Sequence, residues 1–172
     1  MISVRLWLAA GVLLVACTPT LDWREVRPSG TSLVALMPCK PTRQVRPLPL
    51  GGAPVPVELL ACAAGGTTWS LTAADLGDAA RVPDVLTALR SARARNLEGQ
   101  EIASQTFQVT GMTPYPQAVR FLVSGRRPDG EPLVEHAVVF AQGPRVFQAA
   151  ALGGKPLPDA LETFFGGLRL QP

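Results

Sequence analysis

A proline or glycine stands at about every fifth position of this chain, 17 prolines and 16 glycines among 172 residues. That punctuation restricts the fold more than any other feature. Proline removes a backbone donor and glycine weakens any regular element that contains it, so a long coiled coil is excluded and short segments joined by turns are required. Charged residues are only 17% of the chain, which also excludes a long solvated acidic or basic tail. The hydrophobic share of 47% supplies one core, and the length suits one domain far better than two.

Between the breakers the apolar residues recur with two periods. Leu33 to Met37 is a short apolar run stopped by Pro38-Cys39-Lys40-Pro41 and predicts a strand, while Thr42 to Pro54, with Gly51-Gly52, reads as an exposed connection. Val55 to Ala63 sets Val57, Leu59 and Ala61 against Glu58, Leu60 and Cys62, the two-sided pattern of a mostly buried strand. After Gly65-Gly66, Thr67 to Ala73 places Trp69 and Leu71 opposite Thr68, Ser70 and Thr72, so this pair predicts a hairpin with one wet face. The period then lengthens. Val82, Val85, Leu86, Leu89 and Leu97 follow helical spacing, Pro83 suits a first turn, and Arg90, Arg93 and Arg95 fall late, where cations complement the helix dipole. Strand signals return at Ile102 to Thr110, with Phe107 and Val109 on one face, and at Ala118 to Ser124, Leu133 to Ala141 and Arg145 to Ala151. The last three predict an antiparallel meander turning at Gly125 to Gly130 and at Gln142-Gly143-Pro144. Leu161, Phe164, Phe165 and Leu168 then predict a short C-terminal helix ended by Gly166-Gly167. The class expected is α+β, a mainly antiparallel sheet of about six strands with one amphipathic helix mid-chain and a short helix at the end.

Residues 1–17 carry the most specific signal. Arg5 is the only basic side chain before an uninterrupted apolar run from Leu6 to Ala16. The run is too short to span a bilayer as a mature helix, has the length of a signal-peptide core and ends in small residues. Leu14-Val15-Ala16-Cys17 resembles the bacterial lipobox. The resemblance implies cleavage between Ala16 and Cys17, diacylglycerol on the Cys17 thiol and an acylated new amine, with acyl chains such as palmitate holding the chain to a bilayer. A transmembrane anchor, or a secretory peptide with an incidental cysteine, is the alternative. The expected organisation is a signal peptide over 1–16, a lipidated linker over 17–22 beginning Thr18-Pro19-Thr20, and a single domain over 23–172. Facing the periplasm follows from this, and Thr18, where an Asp would resemble an inner-membrane retention signal, leans toward the outer membrane.

With lipid on Cys17, the three cysteines leave an even pair in an oxidising compartment, Cys39 and Cys62. A disulfide is the natural reading and two unpaired thiols the alternative. A metal site is disfavoured, because there is no C-x-x-C and His136 is the only histidine. Losing Arg5 leaves 15 basic side chains against 13 acidic ones, so the isoelectric point near 9.1 reflects a small imbalance. The one local concentration, Arg90, Arg93 and Arg95, reads as a solvated helix face. Nucleic acid is not an expected partner, and contact with anionic headgroups is a minor one.

The element order, with Trp23-Arg24-Glu25-Val26 before the strand ending Met37-Pro38-Cys39-Lys40-Pro41, the meander, and the closing Phe164-Phe165-Gly166-Gly167-Leu168-Arg169-Leu170, resembles small proteobacterial envelope lipoproteins with a PsbP/Mog1-like α/β/α sandwich. That resemblance implies binding and assembly roles and carries over no site residue.

Chemistry-bearing residues are few. His136 lies on the face Val134, His136, Val138, Phe140 and reads as a core or edge histidine, with Glu135 pointing oppositely. Cys39 with His136 is the one conceivable nucleophile pair. The glycine doublets do not space as a phosphate loop, and Asp75 and Asp78 begin no calcium-loop series. Trp23, Trp69 and Tyr115 read as core and rim, with a pocket near Trp69 and His136 as the candidate. The favoured function is a non-catalytic, periplasm-facing binding or assembly module, without cofactor, for an envelope protein or small apolar ligand. The alternative is a thiol-dependent enzyme or redox module using Cys39 and Cys62.

Overall fold

The computed structural model describes residues 20–127 and 129–171. The lipobox Leu14, Val15, Ala16 and Cys17, with the cleavage site it implies, lies outside the described residues.

The chain forms β1 (Arg24–Val26), β2 (Leu33–Met37), β3 (Thr42–Leu50), β4 (Ala53–Ala64) and β5 (Thr67–Asp75). A single 3₁₀ turn, Ala79–Arg81, leads into α1 (Val82–Asn96). Then come β6 (Gln100–Thr106), β7 (Val119–Arg126), β8 (Pro132–Gln142), β9 (Arg145–Gly153), α2 (Pro158–Gly166) and β10 (Arg169–Leu170). The class is α+β and mainly antiparallel, as expected. Instead of about six strands, a seven-stranded sheet ordered β3-β4-β5-β9-β8-β7-β6 and a three-stranded sheet ordered β1-β2-β10 are present.

Three layers follow from two-sided strands. Leu60, Trp69, Leu71, Val138, Phe140 and Phe147 turn to one face of the large sheet and pack against Leu33, Ala35 and Met37 of β2 and Phe164 and Phe165 of α2. Val57, Ala74, Ala137, Val139 and Val146 turn to the other face and meet Val82, Val85 and Leu86 of α1. Period-two alternation on a sheet covered on both sides requires apolar residues on both faces, and β8 from Ala137 to Ala141 and β9 from Val146 to Ala151 meet that requirement with every residue buried. Every described element lies between Arg24 and Leu170, and both cores are built from Leu21 onward. No described helix is long and apolar enough to cross a membrane.

The segment read as an exposed connection, Thr42 to Pro54, is a correction. It forms β3 and the start of β4, paired in register from Thr42↔Ala61 to Leu50↔Ala53. Its prolines conceal the strand from a propensity reading, yet Pro47 faces Pro56 and Pro49 faces Pro54. Facing residues without N–H groups occupy the sites where antiparallel strands exchange no hydrogen bond, so β3 keeps its ladder with β4 while its prolines point away from it. β3 is an edge strand exposed on both faces, with Val45 at 62%. The two-residue turns Gly51-Gly52 and Gly65-Gly66 have positive φ throughout, 63° and 95°, then 61° and 71°. Twisted hairpins require that conformation, and a side chain strains it. The Arg81 guanidinium donates to the carbonyls of Leu50, at 2.6 Å, and Leu76, at 3.0 Å, tying the first of these turns to the start of α1.

Two further expectations are corrected. The strand foreseen over Ile102 to Thr110 ends at Thr106, because Phe107 and Val109 enter an irregular segment carrying Pro114 and Pro116 that packs on the first core. Of the α1 arginines only Arg95 is solvent-exposed as expected: Arg90 pairs with Glu101, and Arg93 reaches into the interior to Glu135.

Candidate functional site

α1 packs on β6 to β9 and its first turn also meets β4 and β5, and the flank of the helix with β3, β4, β5 and β9 bounds a cleft of about 600 Å³. The register shows how the strands build its floor. One cross-strand row is Gln44, Leu59, Thr72 and Gln148; the next is Arg46, Val57, Ala74 and Val146. Leu48 and Leu50 extend the lining toward the β3–β4 turn, and Leu89, Ala92, Arg93 and Asn96 supply the helix wall. The cleft therefore has a polar end, at Gln148, Thr72, Gln44 and Asn96, and an apolar end.

Two residues lining this cleft, Arg93 and Gln148, carry unpartnered buried polar atoms; Gln117 Oε1, which does not line it, is another. Gln148 is only 6% exposed, and its Nε2 has no hydrogen-bond partner. Glu135 is fully buried; one carboxylate oxygen accepts from Arg93 Nη2, while Glu135 Oε2 and Arg93 Nε are unpartnered. Buried polar groups are ordinarily hydrogen-bonded, so a cluster of orphans beside a cleft calls for an explanation. Glu58 is the contrast. It is equally buried but accepts from Ser29 N at 2.6 Å, from Ser29 Oγ at 3.1 Å and from Arg43, which makes it a closed clasp between the β1–β2 loop and the sheet.

The residues singled out from the sequence lie elsewhere. Cys39 and Cys62 form a disulfide with Cα atoms 6.0 Å apart, beside the first core, so in this state neither sulfur is a thiol that His136 could activate. Trp69 is 1% exposed; it donates from Nε1 to the Ala64 carbonyl at 3.2 Å and packs edge-on against Trp23 and Phe164. His136 instead lines a shallow hollow of about 310 Å³ with Ser104, Gln105, Arg120 and Glu162. Trp69 is not among the residues lining it, so the two do not form the pocket foreseen for them. Burial first, and then the Arg120 charge, hold the His136 imidazole below its ordinary value, against the opposing pull of Glu162. Arg120 pairs with Glu162 at 2.7 Å and lies 4.7 Å over the Phe165 ring. Tyr115 is partly buried against the second core. No cluster of three metal-ligating side chains occurs among the described residues.

Sequence reasoning missed Gln148, Arg93 and Glu135 as site residues. The available signal was a glutamine inside the apolar run Val146 to Ala151 and a glutamate inside Leu133 to Ala141, polar residues on strands otherwise bound for the core.

No family model and no curated protein matches the chain. Among solved structures it is similar to the protein of unknown function PA94 from Pseudomonas aeruginosa, at 14% identity and a TM-score of 0.36, over 81% of this chain and 85% of that one.

Proposed function

We propose that this chain is a bacterial envelope lipoprotein, held to the membrane through Cys17 and facing the periplasm, whose domain is a non-catalytic binding module of the PsbP/Mog1-like kind. The observation that carries the binding reading is the cleft beside α1, which pairs a wall of leucine and valine with a buried amide that lacks a partner. Its volume falls within the range of about 300–1,000 Å³ typical of small-ligand sites. Gln44, Thr72, Asn96 and Gln148 are amides and a hydroxyl, groups suited to holding a ligand rather than to transferring protons at neutral pH.

The anchor rests on Leu14-Val15-Ala16-Cys17 and on the apolar run before it. Two or three acyl chains, each contributing about 0.8 kcal/mol per buried CH₂, suffice without a spanning helix. The Cys39–Cys62 disulfide suits an oxidising compartment, and Thr18 after Cys17 favours the outer membrane. A seven-stranded sheet with α1 on one face and β2 with α2 on the other has the layering that the resemblance implies. The partner is an envelope protein or a small apolar ligand.

Globomycin should cause an uncleaved precursor to accumulate, and Cys17→Ser should abolish maturation. A Cys17→Ser protein that still matures and stays membrane-bound refutes the anchor. A photoreactive residue at Leu59, inside the cleft, should label a discrete envelope component that the same residue at exposed Ile102 does not. Identical labelling at both positions refutes the binding site.

A further inference from the structure

We propose that the cleft beside α1 takes a single-chain amphiphile with an anionic head, of the long-chain fatty-acid class, its carboxylate at the Gln148 end and its tail running toward the β3–β4 turn. This deepens the binding-module reading and rests on it.

The head is selected by what the polar end lacks. Gln148 Nε2 is a donor with no acceptor, whereas the open Arg93 Nε is matched by the open Oε2 of its own partner Glu135. A group that only accepts, such as a carboxylate, satisfies the amide, whereas a hydroxyl or amine head brings donors of its own. The charge around the cleft agrees. Two arginines, Arg46 and Arg93, line it, and no carboxylate does. Arg93 is already neutralised by Glu135, but Arg46, on the exposed edge strand in the row of Val57 and Val146 and three strands across from Gln148, adds a positive charge to the cleft. A guanidinium and an amide donor lining one cleft favour an anionic head over a neutral one.

The tail is selected by the other end. Leu48, Leu50, Val57, Leu89 and Val146 offer hydrocarbon, with Arg46 at the exposed edge of the Val57 row, and the strands beneath spend their backbone groups on the ladder. A peptide laid there would bury amides without partners, a penalty of about 1–3 kcal/mol each, whereas a methylene chain has none to satisfy. Leu59, 37% exposed in the same row as Gln148, lies where a chain would pass from the head region into the hydrocarbon.

Residues 18–172 contain every described element and both cores, so this unit serves for titration. The probes are sodium dodecanoate, methyl dodecanoate and lysophosphatidylglycerol, all below their micellar concentrations, read by displacement of a fluorescent fatty acid and by native mass spectrometry. Dodecanoate is expected to saturate at one per chain and to bind about tenfold or more tighter than its methyl ester, the value of one charge-assisted hydrogen bond. Gln148→Leu should remove that preference while leaving the ester unchanged, and should not lower the melting temperature, because it deletes an unsatisfied buried amide. Leu59→Asp, at a half-exposed site where folding is not at stake, should weaken the anion about tenfold by placing a like charge in its row. Tighter binding of lysophosphatidylglycerol than of dodecanoate supports the same anionic single-chain chemistry and assigns its source to membrane lipid. The proposal is overturned by an absence of saturable binding, by equal binding of acid and ester, or by indifference of both variants. If the photoreactive residue at Leu59 still captures a discrete component after such a failure, the module reading stands and the ligand class is wrong.

Discussion

Among the described residues Arg93 is the only partner of a fully buried carboxylate, which makes Arg93→Met the most informative single change. One oxygen of Glu135 is already unpaired, so methionine there leaves a charge with no hydrogen bond and no counter-ion. Breaking a buried pair in this way costs about 3–5 kcal/mol, a fall in melting temperature of roughly 6–20 °C for a domain of this size. The reverse truncation is milder. The Arg93 side chain is 25% exposed and can turn toward water once released, so Glu135→Gln should cost only about 1–2 kcal/mol. Replacing both, Arg93→Met with Glu135→Leu, removes the pair together with its desolvation penalty and should return stability to within about 1 kcal/mol of the parent. The assay is urea denaturation without reductant, comparing midpoints at constant slope so that only stability is read. A loss below about 1 kcal/mol for Arg93→Met, the worth of an exposed pair, refutes the buried-charge account. So does a double variant no more stable than Arg93→Met alone.

Three further perturbations test other parts of the fold. Replacing Cys39 and Cys62 together by alanine should cost about 3 kcal/mol, since the bond closes a loop of sequence separation 23; reductant should bring the parent down to the variant, and a parent unmoved by reductant contradicts this. His136 titrates below its ordinary 6.5 in the folded state, so the stability its neutral form contributes is complete above that value and is lost as the pH falls through the lower folded one. His136→Gln should flatten the melting curve against pH between about pH 7 and pH 5, and an unchanged slope counts against the burial argument. Pro47→Thr with Pro49→Thr restores outward N–H groups on β3, and should make the protein associate more strongly with rising concentration than the parent does in sedimentation velocity; a variant that associates no more than the parent shows that the prolines do not guard the edge.

The periodic elements were legible because a single face decided each of them. Val82, Val85 and Leu86 mark the buried stripe of α1, Leu161, Phe164 and Phe165 that of α2, and the breakers between residues 125 and 145 bound the meander. β3 was illegible for a physical reason. A doubly exposed edge strand has no hydrophobic alternation to display, and its prolines, forbidden in a central strand, are harmless where their nitrogens point away from the ladder. β1 and β10, of three and two residues, are likewise strands only because β2 lies between them.

The cleft was hidden for a different reason, and the reason bears on its use. Gln44, Leu59, Thr72 and Gln148 are far apart in sequence and become neighbours only through three successive pairings, so no window of the chain contains the site. What the sequence did contain was a conflict: Glu135 and Gln148 are buried on strands whose other residues are mostly apolar. A core optimised for stability alone would place leucine at both positions, because a half-satisfied polar cluster is worse than hydrocarbon. Glu58 resolves the same conflict by gathering three donors, whereas Gln148 leaves its amide nitrogen buried without a partner beside the cleft. Local rules that fail in a well-packed domain tend to fail at functional positions. If Gln148→Leu stabilises the domain and weakens dodecanoate binding together, the unsatisfied amide is retained for its ligand; stabilisation with binding intact would leave it a structural defect.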